Sequence, residues 1–170
     1  VDLATAVPTS GALTLNLNGT NTVSARATDA AGNTSDAGTQ NLLIDTVAPS
    51  APVITSPALT NDDTPVITGT AEPGSTVSIS VGGAIYSVAA PAGTWTLDLA
   101  TATPASGTLN LVAGSNPIVV TATDAVGNTS INGGQTLVID GAAPTPFAIT
   151  SAALTNAEEP VISGTAPDGA

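Results

Sequence analysis

Nine residues, ATDAAGNTS at 27–35, return as ATDAVGNTS at 122–130 with one change, Ala31 to Val126. They belong to a longer register in which Asp29 recurs as Asp124, Asp45 as Asp140 and Pro49 as Pro144, each 95 residues on. APSAPVITSPALTNDDTPVITGTAEPG at 48–74 reappears in the same register as APTPFAITSAALTNAEEPVISGTAPDG at 143–169. VDLATAVPTSG at 1–11 matches LDLATATPASG at 97–107 at an offset of 96, so one residue is gained or lost near Asn18-Gly19 and Ala113-Gly114. Self-similarity at a fixed period marks a tandem array and constrains the fold more than any local propensity. The chain reads as the C-terminal part of one repeat (1–45), a complete repeat (46–140) and the N-terminal part of a third (141–170), a window on a longer array.

Within the complete repeat the apolar period is two, the period of strands. Val77, Ile79 and Val81 alternate with Thr76, Ser78 and Ser80. Trp95, Leu97 and Leu99 alternate with Thr94, Thr96 and Asp98, which makes Trp95 a core residue rather than a sugar-stacking platform, and Asp98, like its match Asp2, a solvated charge on an outward face. In NPIVVTATD at 116–124, Ile118, Val120 and Ala122 share a face, as Val23, Ala25 and Ala27 do one repeat earlier. The pattern does not assign Tyr86. Turn signals at Asp62-Asp63-Thr64-Pro65, Glu72-Pro73-Gly74, Gly82-Gly83, Pro91-Ala92-Gly93, Ala113-Gly114 and Val126-Gly127-Asn128 separate the strands. Seven or so short strands in about 95 residues predict an all-β fold, a tandem array of immunoglobulin-like β-sandwich repeats. Without Cys, the chain is not an antibody-type domain.

Charge and composition exclude much else. Thirteen acidic residues face a single basic one, Arg26, for a formal charge of -12, so nucleic acid and anionic lipid are repelled and cations are the natural partners. No His and no Cys are present, which removes the usual acid–base catalysts, zinc sites and thiol nucleophiles and argues against an enzyme. No apolar run approaches the roughly 20 residues of a membrane span, so direct membrane insertion is not expected.

DTVAPSAPVI at 45–54, TNDDTPVITGTAEPGSTVSI at 60–79, AGTWTLDL at 92–99 and VTATDAVGNTS at 120–130 together resemble the bacterial immunoglobulin-like repeats of giant surface adhesins and other large proteins secreted by the type I route. The resemblance covers essentially the whole chain. It implies a rod-like array outside the cell, at the bacterial surface, often stiffened by Ca²⁺ near domain junctions, with adhesion concentrated elsewhere in the polypeptide. The third repeat departs from the second, with TNAEEP for TNDDTP and APDG for AEPG.

The connectivity of such a sandwich distributes the acids between two poles. Stacked head to tail, one junction gathers Asp45 from the linker, Glu72 from the turn after PVITGTA, and Asp124 with Asn128 from the repeated loop. The next gathers Asp140 beside Asn61, Asp62 and Asp63, with Asp168 arriving from the third repeat; Asp29 and Asn33 serve an earlier junction. Ca²⁺ suits these groups, because it takes roughly 6 to 8 hard oxygen ligands in irregular geometry. The alternative for Asp124 to Asn128 is a turn whose side chains cap their own backbone. The expected function is a stalk module with Ca²⁺-dependent stiffness, whose partners are neighbouring repeats of the same chain and other copies in a fibre. The rival is a binding module whose Thr and Asn rows engage glycan, ice or protein.

Overall fold

Alternation of β-branched and hydroxyl side chains builds the sandwich directly. The computed structural model describes residues 12–166, so Asp2 and Asp168 lie outside the described residues. Its strands are β1 (Gly19–Ala25), β2 (Gly38–Ile44), β3 (Val53–Ile54), β4 (Leu59–Thr60), β5 (Val66–Thr70), β6 (Ser75–Val81), β7 (Ala84–Ala90), β8 (Thr94–Asp98), β9 (Ser106–Gly107), β10 (Gly114–Thr123), β11 (Gly133–Ile139), β12 (Ala148–Ile149) and β13 (Gly164–Thr165). In the complete repeat six strands form one sheet in the order β4-β11-β10-β6-β7-β9, and three form the other in the order β3-β5-β8. Neighbours run antiparallel except β4 and β11, which are parallel with Leu59 opposite Val138.

The inward faces are those the period of two assigns. Val77, Ile79 and Val81 of β6, Ile118, Val120 and Ala122 of β10, and Trp95 and Leu97 of β8 are all buried, with Leu99 just beyond. Tyr86 joins them opposite Ile79, and burial pushes its phenol pKa up. Asp98 lies on the outward face, as the alternation expects, and also caps the end of its strand. Its Oδ1 accepts a hydrogen bond from the Ala100 N–H at 3.0 Å and its Oδ2 one from Thr101 Oγ1 at 2.9 Å, because β8 ends there and the turn needs acceptors.

Two glycine sites set the geometry. Gly82 and Gly83 have φ of 54° and 83°, the two positive values a type I′ hairpin requires between β6 and β7. Gly69 faces Trp95 across β5 and β8. A Cβ at residue 69 would fall inside 3.0 Å of Trp95 Cζ2 and Cε2 and of the Val53 carbonyl oxygen, so the indole occupies the space a side chain would need. Trp95 is 2% exposed, and its Nε1 is buried with no hydrogen-bond partner.

The flanking hairpins repeat the register as well as the sequence. β1 and β2 pair Gly19 with Ile44 as β10 and β11 pair Gly114 with Ile139. β12 and β13 pair Ala148 with Thr165 as β3 and β5 pair Val53 with Thr70. Their apolar faces are not covered: Val23 is 48% exposed where its counterpart Ile118 is 3% exposed. No helix among the described residues is long and apolar enough to cross a membrane.

Candidate functional site

The repeated nine-residue stretch is one turn built twice. Asp124 Oδ1 accepts hydrogen bonds from the N–H groups of Val126 and Asn128, both at 2.9 Å, and Asp124 Oδ2 accepts one from Asn128 Nδ2 at 2.8 Å. One repeat earlier Asp29 Oδ1 accepts from Ala31 and Asn33 at 2.9 and 2.8 Å, and Asp29 Oδ2 from Asn33 Nδ2 at 2.9 Å. Gly32 and Gly127, with φ of 89° and 98°, let the chain reverse between acid and amide, a conformation side chains other than glycine's resist. Thr28 bridges to Thr34 and Thr123 to Thr129 to close each loop.

The self-capped turn weighed from the sequence is therefore present in both repeats, and it shapes the electrostatics. At Asp124, burial works to raise the carboxyl pKa. Hydrogen bonds from the Asn128 side chain and from the backbone of Asn128, Val126 and Gly127 outweigh it and hold the carboxyl below the usual 3.8. At Asp29 the Asn33 side chain leads, followed by the Asn33 N–H, and the pKa is again lowered. An ionised carboxylate accepts in roughly four lone-pair directions. With two used at Oδ1 and one at Oδ2, Asp124 keeps about one direction for an outside partner.

That turn sits at the pole where the linker arrives. Asn128 Nδ2 also donates to the backbone carbonyl of Asp45 at 3.2 Å, joining residues 83 apart in sequence. Asp45 Oδ1 accepts from the Val47 N–H at 3.0 Å, which fixes the linker's first bend. Glu72 lies in the turn between β5 and β6, where its carbonyl accepts from Ser75 Oγ at 2.6 Å and from the Ser75 N–H at 3.1 Å. Asp45, Glu72, Ser75 and Asp124 line one cavity of about 210 Å³. Three sequence-distant acids thus face one space, as the connectivity leads one to expect. They do not draw into a tight cluster, because among the described residues no three acidic side chains stand close enough together to hold a metal ion. Arg26, the chain's one basic side chain, is engaged elsewhere, donating to the Ser35 carbonyl at 3.1 Å.

Asp140 donates its N–H to the Thr60 carbonyl at 2.8 Å, beside the loop that carries Asn61, Asp62 and Asp63. Asp62 Oδ1 caps that loop through the Thr64 N–H at 2.9 Å, and Asp140 Oδ1 accepts from Ala142 at 3.1 Å. Asp63 is exposed, and among the described residues the Asp29 carboxylate accepts only from its own turn. Asp168 lies outside the described residues. With no His or Cys in the chain, neither pole offers an imidazole or a thiolate.

Sequence reasoning missed several polar braces. Ser130 Oγ accepts the Ala122 N–H at 2.9 Å, as Ser35 Oγ accepts that of Ala27 at 3.0 Å. Asn116 is buried and clasps the loop before β10, donating to the carbonyls of Val112 and Gly114 and accepting from the Val112 N–H, as Asn21 does for Asn16 and Gly19. The available signal was polar identity retained at the 95-residue spacing: Ser35 with Ser130, Asn21 with Asn116. Asn18, whose Oδ1 accepts from Thr46 N and Thr46 Oγ1, both at 2.9 Å, has no such counterpart.

Residues 53–141 match the family model of the bacterial Ig-like domain. A solved structure of a 1.5-MDa bacterial ice-binding adhesin, from work on its host cell surface retention, is 30% identical in sequence with a TM-score of 0.36. The match covers 72% of this chain and 42% of that one, so the chain spans less than half of the length it is compared with. No curated protein matches.

Proposed function

The chain belongs to the bacterial Ig-like domain family, and on that premise we propose that it is a stalk module of an extracellular adhesin or surface filament. Its role is reach and controlled stiffness at the bacterial surface, in adhesion or biofilm formation, without catalysis. The observation that carries this reading is the hydrogen bond from Asn128 Nδ2 to the Asp45 carbonyl, which ties the linker leaving one repeat to the polar loop of the next. Repeats tied at their poles add length with each copy. The charge of -12 fits a segment that stays extended and does not condense on itself.

Ca²⁺ bound at the junctions would set their stiffness. Asp45, Glu72 and Asp124, not close enough to hold an ion as they stand, would have to draw in around it at the pole described above, with Asp124 lending its remaining lone pair, and Asp140, Asp62 and Asp63 would have to do the same at the other pole. Bound there, Ca²⁺ would neutralise the carboxylates and cross-link linker, turn and loop. Its support is the shared 210 Å³ cavity and the lack of any basic residue lining it. Small-angle scattering of the array, recorded with Ca²⁺ and then with chelator, tests this. A shorter maximum dimension after chelation supports the calcium role, and superimposable curves remove it. Saturable binding of the repeat to glycans or ice would instead favour the binding-module reading.

A further inference from the structure

The two linkers of this chain are built differently. In repeat one the brace of Asn21 reaches back to Asn16, and in repeat two the brace of Asn116 reaches back to Val112. Gly19 and Gly114 start the equivalent strands. The brace therefore encloses Leu17 and Asn18 in one repeat and Ala113 alone in the other, which locates the one-residue difference between them. The additional residue brings Asn18 to the linker, where its Oδ1 accepts from both Thr46 N and Thr46 Oγ1 at 2.9 Å. Asn16 Oδ1 in turn accepts the Asn18 N–H at 3.2 Å.

In repeat two each part of this clamp is absent by sequence. Ala113 replaces the Leu17–Asn18 pair, Val112 stands where Asn16 does, and Gly141 stands where Thr46 does. A hollow of about 500 Å³ opens there, lined by Ala113, Gly114, Asp140 and Gly141 among others. Gly141 is not required by its surroundings: a Cβ there would meet nothing within 4 Å, and its φ is not in the left-handed region. The linker reads Asp-Thr-Val-Ala-Pro after repeat one and Asp-Gly-Ala-Ala-Pro after repeat two, so two β-branched residues with restricted torsions give way to Gly and Ala. The first bend survives in both, since Ala142 N–H binds Asp140 Oδ1 as Val47 N–H binds Asp45 Oδ1. What differs is the clamp of Asn18 on Thr46 and the side chains at the two linker positions after the Asp.

We infer that the chain carries two grades of junction, a locked one after repeat one, held by Asn18 on Thr46, and a hinge after repeat two centred on Gly141. The inference rests on the stalk reading for its purpose but not for its test. In the full chain, amide exchange at Thr46 should run roughly threefold to tenfold slower than at Gly141 after correction for intrinsic rates, the scale of one modest hydrogen bond. Asn18→Ala should erase that difference. Inserting Asn between Ala113 and Gly114 together with Gly141→Thr should create protection at position 141. Residual dipolar couplings should show β1 and β2 losing order relative to repeat two's sandwich in Asn18→Ala. Equal exchange at Thr46 and Gly141 in the unaltered chain, or exchange at Thr46 unmoved by Asn18→Ala, overturns the two-grade inference. Locked exchange at Thr46 in an array that does not extend in scattering would instead sink the stalk reading and leave the clamp standing.

Discussion

Gly69→Ala probes the one place where the sandwich has no room. The new methyl would sit inside 3.0 Å of two indole carbons of Trp95 and also of the Val53 carbonyl oxygen. Ordinary carbon contacts lie at about 3.5–4.0 Å, so one neighbour must retreat by more than about half an ångström, and no single displacement relieves both. Moving Val53 breaks the pairing of β3 with β5, which joins Val53 to Thr70 and Ile54 to Gly69. Moving Trp95 disturbs a side chain that is 2% exposed. Overpacking costs about 1–3 kcal/mol, and expelling the indole costs about 3–5 kcal/mol, as in truncation of a buried Trp. We expect about 3 kcal/mol or more, against roughly 5–13 kcal/mol for a domain of this size, and a fall in Tm of about 12 °C or more. Trp95 is the chain's one Trp, so urea unfolding followed by its fluorescence reads the site directly. Gly69→Ala with Trp95→Phe, followed by circular dichroism because no Trp remains, should be less damaging than the sum of the two, because the smaller ring vacates the space and the unpartnered Nε1–H is removed. A Gly69→Ala protein within about 1 kcal/mol of the parent refutes the packing argument.

Ser130→Ala strips the acceptor from the buried Ala122 N–H and should cost about 1–3 kcal/mol by urea denaturation. Gly83→Ala, at φ 83°, should cost about 1–2 kcal/mol by the same measure. Asp29 and Asp124 have folded pKa values below 3.8, so their stabilisation is complete above the unfolded value and is lost as pH falls through the depressed folded values. Asp124→Asn should therefore flatten the dependence of stability on pH below about 4. In Asn128→Ala the Asp124 carboxyl should titrate nearer 3.8, followed by carbon NMR, and an unmoved titration would dissociate Asn128 from the turn's electrostatics.

Much of this architecture is legible in the sequence because strands announce themselves by period. Val77, Ile79 and Val81 point inward for the reason the alternation gives, and the 95-residue offset carries through to strand register. Gly69 beside Trp95 is illegible, because the need for glycine arises between strands 26 residues apart in sequence. At the pole, topology brings Asp45, Glu72 and Asp124 to one cavity, a consequence of loop order. How near their carboxylates come depends on backbone geometry that composition does not encode. The outward direction of Asp98 is legible in the alternation, but its capping of the turn after β8 is not, because direction does not say what the end of a strand requires.

The self-satisfied turn between β10 and β11 bears on how a chain of near-identical repeats avoids exchanging strands with its neighbour. Tandem repeats of like sequence are prone to misassembly, and here β1 and β10 offer nearly interchangeable partners to β2 and β11. The contacts from Asp124 to Val126 and Asn128 span two to four residues. Such short loops close far faster than any pairing across 95 residues. Each hairpin is therefore expected to pair within its own repeat before the rival strand reaches it, which would make nine residues a local guard against strand exchange.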